Sequence, residues 1–440
     1  MKVLKFGGTS VGSAQRMKDV AKLITDGEQK IVVLSAMSGT TNTLVEISDY
    51  LYKKNPEGAN EIINRLESKY KQHIDELYST EEYKQKTLEF VKSVFDYIRS
   101  FTKDIFTLFE EKVILAQGEI ISTNMVTNYL CEQGVKAYLI PALEFMRTDK
   151  NSEPDLNYIR EKLAAQLEAH PGQDIYITQG FICRNAYGEI DNLQRGGSDY
   201  TASLIGAAIN ASEIQIWTDI DGMHDNDPRV VDKTSPVRQL HFEEAAELAY
   251  FGAKILHPTC IQPAKYANIP VRLLNTMEPS APGTLISNDT EKGKIKAVAA
   301  KDNITAIKIK SSRMLLAYGF LRKVFEIFES YQTAIDMVCT SEVGVSMSID
   351  NTKHLNEIVN DLKKYGTVTV DHDMCIVCVV GDLEWENVGF EAKALDAMRD
   401  IPVRMISFGG SNYNISFLIR ECDKKKALQS LSDVLFNAGK

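Results

Sequence analysis

Apolar residues in the first half of the chain fall into short runs, and each run ends in a turn rich in glycine, serine and threonine. The first run is KVLKF before GGTSVG, and residues 30–42, KIVVLSAMSGTTN, repeat the arrangement. Similar runs occupy residues 174–183 and 213–222. Helical periodicity follows most of the turns, which predicts an α/β domain with a mostly parallel sheet. Because parallel strands share one carboxyl edge, we expect the turns to cluster there.

The segments between the strands have the spacing of amphipathic helices. One face of the helix predicted from Ser13 onward carries its apolar residues, namely Met17, Val20, Ala21 and Ile24. Residues from about 50 to 115 are charged and helical, without a glycine-rich turn, and we interpret them as an elaboration over one face of the domain. In the second half of the chain, a helix predicted over residues 319–330 carries a similar apolar face, made of Leu321, Val324, Phe325 and Phe328.

The pattern changes after residues 277–288, MEPSAPGTLISN, whose proline, glycine and serine content indicates a domain boundary. Short strands and helices follow, and they align as two copies of a ferredoxin-like βαββαβ unit. The second copy lacks a last strand, whereas residues 294–303 contain an extra strand ahead of the first copy. The predicted domains are therefore 1–293, then 304–371, and finally 294–303 combined with 372–440, so that the first copy is nested within the second.

Composition narrows the class of protein and its partners. The 440 residues are 44% hydrophobic and 25% charged, as in soluble globular proteins of two or three domains. No apolar run reaches the length of a membrane span, and the N-terminus enters a strand without a leader, so we expect a cytoplasmic protein with no membrane partner. A net charge of −10 disfavours nucleic acid as the main partner. Cys375 and Cys378 lie three apart in a strand and face opposite sides, which argues against a zinc or redox pair.

A lysine stands beside the first glycine turn, in the order Lys5, Phe6, Gly7 and Gly8. Backbone N–H groups of such a turn can approach an anion closely, and a lysine adds a full positive charge. The segment therefore suits a phosphate, although a plain turn with a solvated lysine fits these few residues equally well. It is not a Walker A loop, because the lysine precedes the glycines.

Charged side chains also mark the ends of other predicted strands. They are Glu119, Arg195 to Asp199, Thr218 with Asp219, Arg229 and Lys254. Lysine, arginine and carboxylate together suit phosphoryl transfer, which depends mainly on positioning and charge stabilisation. Each residue also has a purely structural interpretation: Glu119 on a helix surface, Arg229 in a turn salt bridge, and Asp199 as the N-cap of a helix over residues 200–209.

Taken in order, the motifs KFGGTSV, VVLSAMSGTTN, TQGF, RGGSDYTA, WTDIDG, DPRVV, FGAKILHP and TSE resemble those of aspartate kinases. The resemblance extends over essentially the whole chain. It implies an amino-acid-kinase domain of the carbamate-kinase-like fold, followed by two ACT domains. It further implies transfer of a phosphoryl group from ATP to the β-carboxylate of L-aspartate, giving 4-phospho-L-aspartate, the first step towards lysine, threonine and methionine.

The resemblance also implies roles for individual residues. Those assigned to ATP are Lys5, Phe6, Gly7, Gly8, Thr218, Asp219, His224, Arg229, Lys254 and Ile255. Those assigned to aspartate are Thr41, Glu119, Arg195, Gly196, Gly197 and Ser198. The cofactors implied are ATP and Mg²⁺, with no dedicated protein cluster of metal ligands. One departure is His224, which stands where the family has a tyrosine, so the packing against adenosine is open at this position.

The chemistry of an amino-acid substrate supports this division. An arginine suits an α-carboxylate and an acid suits an ammonium group, which Arg195 and Glu119 can supply. The β-carboxylate of aspartate is ionised at neutral pH and is itself the nucleophile, so no general base is required. Lys5 and Asp199 are the predicted catalytic residues, with Asp199 orienting Lys5 or a magnesium-bound phosphate.

For regulation, the resemblance to lysine-sensitive members implies an effector site in the first ACT domain. The residues concerned are Met314, Gly319, Phe320, Leu321, Asp336, Ser341 and Glu342. Backbone N–H groups at residues 319–321 can receive an α-carboxylate, and two carboxylates favour a dibasic amino acid such as L-lysine. The purely structural alternatives are that Asp336 is a surface acid at a strand end and that Glu342 is a turn residue. Ala317 and Ala334 replace serines of that subgroup, which leaves affinity and effector identity open.

The resemblance further implies a homodimer that pairs through the ACT domains, with a tetramer left open. Two alternative functions remain at this point. One is an amino-acid-sensing ACT protein with an inactive kinase domain, against which the intact Lys5, Arg195, Asp199 and Lys254 argue. The other is a kinase for a different carboxylate, such as glutamate.

Overall fold

The computed structural model describes residues 1–103, 105–193, 196–252, 256–311 and 318–437. The strands are β1 Lys2–Phe6, β2 Lys30–Leu34, β3 Ala137–Leu139, β4 Ile175–Gln179, β5 Ile182–Arg184, β6 Ile190–Asn192, β7 Ile214–Thr218, β8 Met223–His224, β9 Pro236–Val237, β10 Gln239–His241, β11 Val271–Asn275, β12 Thr284–Ser287, β13 Ile295–Lys310, β14 Met337–Ser341, β15 Gly344–Ile349, β16 Thr367–Gly381, β17 Val403–Phe408 and β18 Asn414–Arg420.

The helices follow the same chain order. They are α1 Ala14–Ile24, α2 Thr40–Tyr52, α3 Pro56–Leu77, α4 Glu81–Ser100, α5 Leu108–Glu132, α6 Leu156–Ala169, α7 Gly197–Ile209, α8 Phe242–Tyr250, α9 Pro258–Tyr266, α10 Phe320–Ser330, α11 Leu355–Leu362, α12 Phe390–Ala397 and α13 Lys424–Leu435. Among the described residues, no helix combines the length and the hydropathy needed to cross a membrane.

The chain forms two compact units, and the first comprises residues 1–222 and 256–288. Its main sheet has the strand order β12-β11-β7-β1-β2-β4-β3, and all neighbouring pairs are parallel except β11 with β12. Every residue of β2 and β4 is buried, as expected for strands covered on both faces. The mostly parallel α/β sheet predicted from the sequence is therefore present.

The helices of this unit also follow the sequence pattern. Ser13 caps α1 by accepting a hydrogen bond from the N–H of Arg16, and the predicted apolar face of this helix is buried. The charged region from about 50 to 115 consists of α3, α4 and the start of α5, packed around a shared apolar core. These helices cover apolar residues of α2 and α5, so the elaboration is part of the core of the unit.

The second compact unit comprises residues 223–255 and 289–440. Its six-stranded sheet has the order β14-β15-β13-β16-β18-β17, and its neighbouring pairs are antiparallel. The first part of β13 lies beside the last part of β16, which is the place that the nested repeat assigns to residues 294–303. The two predicted βαββαβ copies thus share one continuous sheet.

Two details of the repeat differ from the sequence-based expectation. The strands predicted at 294–300 and from residue 305 are one strand, β13, and the two predicted around residue 372 are likewise one strand, β16. Both long strands contain register shifts near the predicted boundaries, so a bulge replaces the expected loop. Each predicted boundary therefore lies inside a hydrogen-bonded strand.

The boundary between the compact units also differs from the predicted position at residue 293. Residues 223–255 pack with the second unit although they precede β11 in sequence. The N–H of Val298 donates to the carbonyl of Asp225 at 2.8 Å, and Asn226 Nδ2 donates to the carbonyl of Leu428 at 3.0 Å. These contacts join residues far apart in sequence, which is why local composition did not indicate them.

Helix α10 begins one residue later than predicted. Gly319 is its N-cap in the left-handed conformation, with φ of +80°, and Phe320 is the first helical residue. Val324 and Phe328 are buried as expected, but Phe325 is exposed and Phe320 is buried in its place. The buried face of α10 therefore includes Phe320 and excludes Phe325.

Candidate active site

The carboxyl ends of the central strands lie in register along one edge of the first sheet. Phe6 pairs with Leu34 on one side and with Trp217 on the other, while Leu34 pairs with Gln179. The next residues in each chain segment form turns, so the predicted clustering of glycine and hydroxyl residues at this edge is observed. The rings of Phe6 and Trp217 stack with centroids 5.6 Å apart, next to the glycine turn that follows β1.

Lys5 reaches this edge from β1. Its Nζ lies 2.8 Å from Asp199 Oδ1, and both side chains are largely buried. Asp199 is not the N-cap of its helix, because α7 begins at Gly197 and Gly196 occupies the cap position. As a residue of the first turn, Asp199 directs its carboxylate to Lys5 near the positive end of the helix dipole.

Glu119 lies in the middle of α5 and is 4% exposed, so its interpretation as a helix-surface residue is wrong. Its Oε1 accepts a hydrogen bond from the N–H of Ala36 at 3.2 Å. Its Oε2 has no hydrogen-bond partner among the described residues. Burial raises the pKa of Glu119 to about 7. A buried carboxylate oxygen of this kind is ready to accept a hydrogen bond from a positively charged ligand.

Close backbone packing brings Glu119 and the β2 turn together. A Cβ atom at Gly118 would lie 2.8 Å from Ala36 Cβ, and one at Gly8 would lie 2.8 Å from the Ala36 carbonyl. Both contacts are shorter than real side chains allow, so these two positions require glycine. Gly118, which precedes Glu119, and Gly8 therefore set the spacing between α5, β1 and β2.

The turn before α7 packs equally closely. Gly196 has φ of +78°, and a Cβ atom there would lie 2.1 Å from Cys260 Sγ. A Cβ at Gly197 would contact the ring of Phe181 at 2.5 Å. Ser35 Oγ donates to Ser198 Oγ at 2.9 Å, which ties this turn to the end of β2.

These turns enclose one pocket within the first unit. Its lining residues are Gly8, Ser35, Ala36, Met37, Ser38, Gly39, Thr41, Asn42, Glu119, Phe181, Gly196, Gly197 and Ser198. All of the predicted aspartate residues inside the described ranges line this pocket. Arg195, the remaining one, lies outside the described residues, as do Lys254 and Ile255 of the predicted ATP site.

The other predicted ATP residues have local partners. Thr218 ends β7, Asp219 follows it on the exposed surface, and the N–H of Thr276 donates to the Thr218 carbonyl at 2.8 Å. Within the second unit, a ring nitrogen of His224 lies 3.0 Å from Thr234 Oγ1. Their assignment to ATP stays a prediction.

Arg229 is also held locally. Its guanidinium forms two hydrogen bonds to Asp227, at 2.9 and 2.8 Å, and its side chain is 73% exposed. The turn salt bridge considered from the sequence is therefore present. An ATP contact from Arg229 stays a prediction, and the Nη1 group, which takes no part in this pair, is the donor available for it.

In the predicted effector region, the residues differ in accessibility. Ser341 and Glu342 are exposed at the turn between β14 and β15, whereas the Asp336 side chain is 1% exposed. Asp336 as a surface acid is therefore wrong, and Glu342 does lie in a turn. Leu321, the second residue of α10, is partly buried against the apolar core of this domain, and Met314 lies outside the described residues.

Known proteins match this chain along its length. The model of the amino acid kinase family matches residues 1–275, and an ACT domain model matches residues 377–435. Chloroplastic aspartokinase 1 of Arabidopsis thaliana is 35% identical over 460 residues, with 99% of this chain and 80% of the relative covered. The chain belongs to the aspartokinase family. Lysine-sensitive aspartokinase 3 of Escherichia coli K12 is 32% identical over 447 residues, with 99% of both chains covered.

Solved structures agree with this family. E. coli aspartokinase III in complex with aspartate and ADP superimposes with a TM-score of 0.83 at 31% identity, covering 99% of this chain and 100% of that one. The same enzyme with lysine and aspartate gives a TM-score of 0.81 at 32% identity, covering 99% of each chain. Clostridium acetobutylicum aspartate kinase gives 0.87 at 26% identity, covering 99% and 100%. The expected family and fold class, and an ATP-dependent kinase with a carboxyl acceptor, are confirmed.

Several residues of the pocket were not selected from the sequence. Phe181 has φ of +70°, a left-handed conformation that is uncommon for an aromatic residue. Its N–H donates to Thr201 Oγ1 at 3.0 Å, and its carbonyl accepts from the N–H of Leu193 at 2.6 Å. Such strain is often found at binding sites. Only its position after the glycine of the TQGF motif hinted at a role.

Helix α3 contributes support that its sequence did not reveal. Tyr70 is fully buried, and its hydroxyl lies 2.8 Å from Thr40 Oγ1. Lys69 Nζ donates to the carbonyl of Ser38 at 3.3 Å. The predicted elaboration therefore holds the loop that lines the pocket, next to Thr41. No glycine turn or motif marked these residues, so only the fold brings them together.

Proposed function

We propose that the pocket binds L-aspartate and that its β-carboxylate attacks the γ-phosphate of ATP, giving 4-phospho-L-aspartate and ADP. The observation that carries this proposal is Glu119, a buried carboxylate with one unpartnered oxygen in a pocket close to the strand turn of Lys5. The ammonium group of an amino acid supplies the positive charge that this carboxylate lacks. E. coli aspartokinase III, which is similar over the whole chain, has been solved with aspartate and ADP.

The other pocket residues have complementary roles in this proposal. Arg195 binds the α-carboxylate, while Thr41 and Ser198 offer hydroxyl groups to the substrate. The β-carboxylate of aspartate is ionised at neutral pH, so no residue has to remove a proton before the attack. The described residues therefore need only bind, orient and balance charge.

Lys5 offsets the repulsion between the attacking carboxylate and the triphosphate. Its ammonium group stabilises charge on the transferring phosphoryl group, and Asp199 fixes its position through the 2.8 Å ion pair. We also propose Mg²⁺ as the cofactor that neutralises phosphate charge. The described residues contain no group of three candidate metal ligands, so the ion would be held mainly by phosphate oxygens, with Asp199 as a hard carboxylate ligand nearby.

A comparison of acceptors tests the role of Glu119 directly. We expect ATP- and Mg²⁺-dependent ADP release with L-aspartate, and at least a hundredfold lower kcat/KM with succinate, which lacks the ammonium group. L-glutamate, longer by one methylene, should also be a poor acceptor. Equal rates with succinate would remove Glu119 from the substrate site, and a preference for glutamate would favour the alternative acceptor.

We further propose that L-lysine is a feedback inhibitor that binds in the first ACT domain. Glu342 lies in the exposed turn after β14, and its carboxylate is accessible to an amino group of the effector. The E. coli relative is named lysine-sensitive and has been solved with lysine and aspartate. The N–H groups at the start of α10, after the left-handed Gly319, would receive the α-carboxylate.

Substitution of Glu342 tests this effector site. We expect lysine to inhibit the wild-type enzyme, and Glu342→Ala to raise the half-inhibitory lysine concentration at least tenfold, because one of two carboxylate partners is lost. Glu357→Ala, an exposed acid on α11, is the matched control and should respond as the wild type. Inhibition by threonine alone, or none at saturating lysine, would overturn the assignment.

We also propose that the enzyme is a homodimer formed through the ACT domains. Val338 on the terminal strand β14 and Val343 beside Glu342 are exposed apolar residues, which a second copy would cover.

Sedimentation equilibrium should show a dimer, and Val338→Glu should shift the equilibrium towards the monomer. Val388→Glu, in an exposed loop of the second ACT domain, should leave the dimer intact. A wild-type monomer at micromolar concentration would contradict the proposal.

A further inference from the structure

Four side chains meet within the second unit at the end of helix α8. Lys301 Nζ lies 2.8 Å from Asp336 Oδ1 and 2.9 Å from Asp350 Oδ2. The Tyr250 hydroxyl donates to the same Asp336 oxygen at 2.9 Å, and Lys301 Nζ stands 4.5 Å from the centre of the Tyr250 ring. These four residues are called the Asp336 cluster below. They join the last residue of α8 to β13, to the residue before β14 and to the residue after β15.

The Asp336 cluster carries more negative than positive charge. Two carboxylates surround one ammonium group, so the formal charge of the cluster is negative. The Asp336 side chain is almost fully buried, and its Oδ2 has no hydrogen-bond partner among the described residues. Burial raises the pKa of Asp336, although the ammonium group of Lys301 opposes this effect. A buried carboxylate oxygen without a partner is costly, and a second ammonium group would satisfy it.

The proposed effector carries such a group. Asp336 is one of the two carboxylates assigned to the amino groups of lysine, yet Lys301 already presents the same chemistry to it. We propose that Lys301 is an internal counter-ion which the effector's ammonium group partly displaces from Asp336, and that Tyr250 transmits this exchange to the segment after α8. This inference rests on the proposed regulation by lysine. Asp350, whose side chain is partly exposed, retains Lys301 after the exchange.

Gly252, the second residue after α8, lies against the same part of β13. Gly252 has φ of +119°, and a Cβ atom there would lie 2.1 Å from the carbonyl oxygen of Ala300, the residue before Lys301. Tyr250 and Gly252 thus contact neighbouring residues of one strand. Two positions beyond Gly252 the sequence reaches Lys254, which is predicted to bind ATP. A change in the hydrogen bonds of Asp336 therefore acts on Tyr250 and Gly252, which precede this predicted nucleotide residue in sequence. Lys254 itself lies outside the described residues.

Tyr250→Phe tests the transmission step, because it removes the hydroxyl but keeps the ring. Tyr331→Phe is the matched control, since Tyr331 donates to Asp361 at 2.9 Å elsewhere in the same unit. Titration calorimetry on the full-length enzyme measures the Kd of lysine with and without a saturating, non-hydrolysable ATP analogue and Mg²⁺. The ratio of these two constants reports the coupling between the sites, and it must be the same in either direction.

We expect the analogue to weaken lysine binding about tenfold or more in the wild type and in Tyr331→Phe, and less than threefold in Tyr250→Phe. Lys301→Met tests the exchange step: without the internal competitor, the Kd of lysine in the absence of nucleotide should fall about fivefold. Lys308→Met, on the same strand, should leave this Kd unchanged.

Each step has its own contradicting result. A wild-type coupling ratio in Tyr250→Phe overturns the transmission, and an unchanged or weaker affinity in Lys301→Met overturns the exchange. If the wild type binds lysine, neither of these two results contradicts the assignment of lysine as the effector. A wild-type enzyme that binds no lysine overturns the effector assignment and this inference with it.

Discussion

Replacing Lys5 with alanine is expected to lower kcat about a hundredfold or more, by analogy with other lost donors to a developing charge. The Lys5 ammonium group lies at the end of β1, beside the glycine turn, and Asp199 holds it at 2.8 Å. Because its charge acts mainly on the transferring phosphoryl group, the loss should appear in kcat more than in the KM for aspartate. Steady-state kinetics at saturating ATP and Mg²⁺ measure the effect.

Lys2→Ala is the matched control for this substitution. Lys2 lies on the same strand, where it pairs with Glu28 at the opposite end from the glycine turn. We expect it to retain wild-type turnover. A folded Lys5→Ala enzyme with near-wild-type kcat would exclude the proposed phosphate role of the KFGGTS segment.

Glu119→Gln is expected to raise the KM for aspartate at least a hundredfold, because a neutral amide cannot pair with the substrate's ammonium group.

The same substitution, Glu119→Gln, should increase the free energy of unfolding. Burial holds the pKa of Glu119 at about 7, above that of an exposed glutamate. The charge therefore costs folding free energy at pH 8, on the order of 3 kcal/mol. This cost in folding free energy decreases as the pH falls below 7, because the carboxyl group becomes protonated.

The raised pKa of Glu119 also predicts a pH dependence of substrate binding. The free enzyme should lose aspartate affinity as the pH falls through about 7, since the protonated carboxyl group no longer attracts a cation. Glu244→Gln is the matched control, because Glu244 is another buried glutamate whose pKa is raised by burial, but it lies in the second unit. It should leave the aspartate KM near the wild-type value. A Glu119→Gln enzyme with wild-type KM would contradict the assignment.

Local patterns were sufficient to predict the central strands of the first unit, β1, β2, β4 and β7, and the turns that follow them. A buried parallel strand is a continuous apolar run, and a glycine turn follows it where the backbone must approach a neighbour, as Gly8 approaches Ala36. That these turns share one edge of the sheet follows from the parallel arrangement. For this reason Lys5 and Ser198 could be placed at this edge before any contact was known. Thr41 was named only through the resemblance to aspartate kinases, and Glu119, predicted at the end of a strand, lies instead in the middle of α5.

Features that depend on distant contacts were not predictable in the same way. The hydroxyl of Tyr70 reaches Thr40 from a helix that carries no functional motif. Residues 223–255 join the second unit through hydrogen bonds to β13 and α13. The strained backbone of Phe181 depends on partners 12 and 20 positions away, Leu193 and Thr201. Period and propensity describe neighbours in sequence, and they contain no information about such pairs.

The most direct test of the account is to trap the product of the wild-type enzyme with hydroxylamine. An acyl phosphate reacts with hydroxylamine to give a hydroxamate, whereas simple hydrolysis of ATP does not. With ATP, Mg²⁺ and L-aspartate, we expect β-aspartyl hydroxamate in an amount equal to the ADP released, and none when aspartate is omitted. Release of ADP without hydroxamate, or a hydroxamate of the α-carboxylate, would contradict phosphoryl transfer to the β-carboxylate in this pocket.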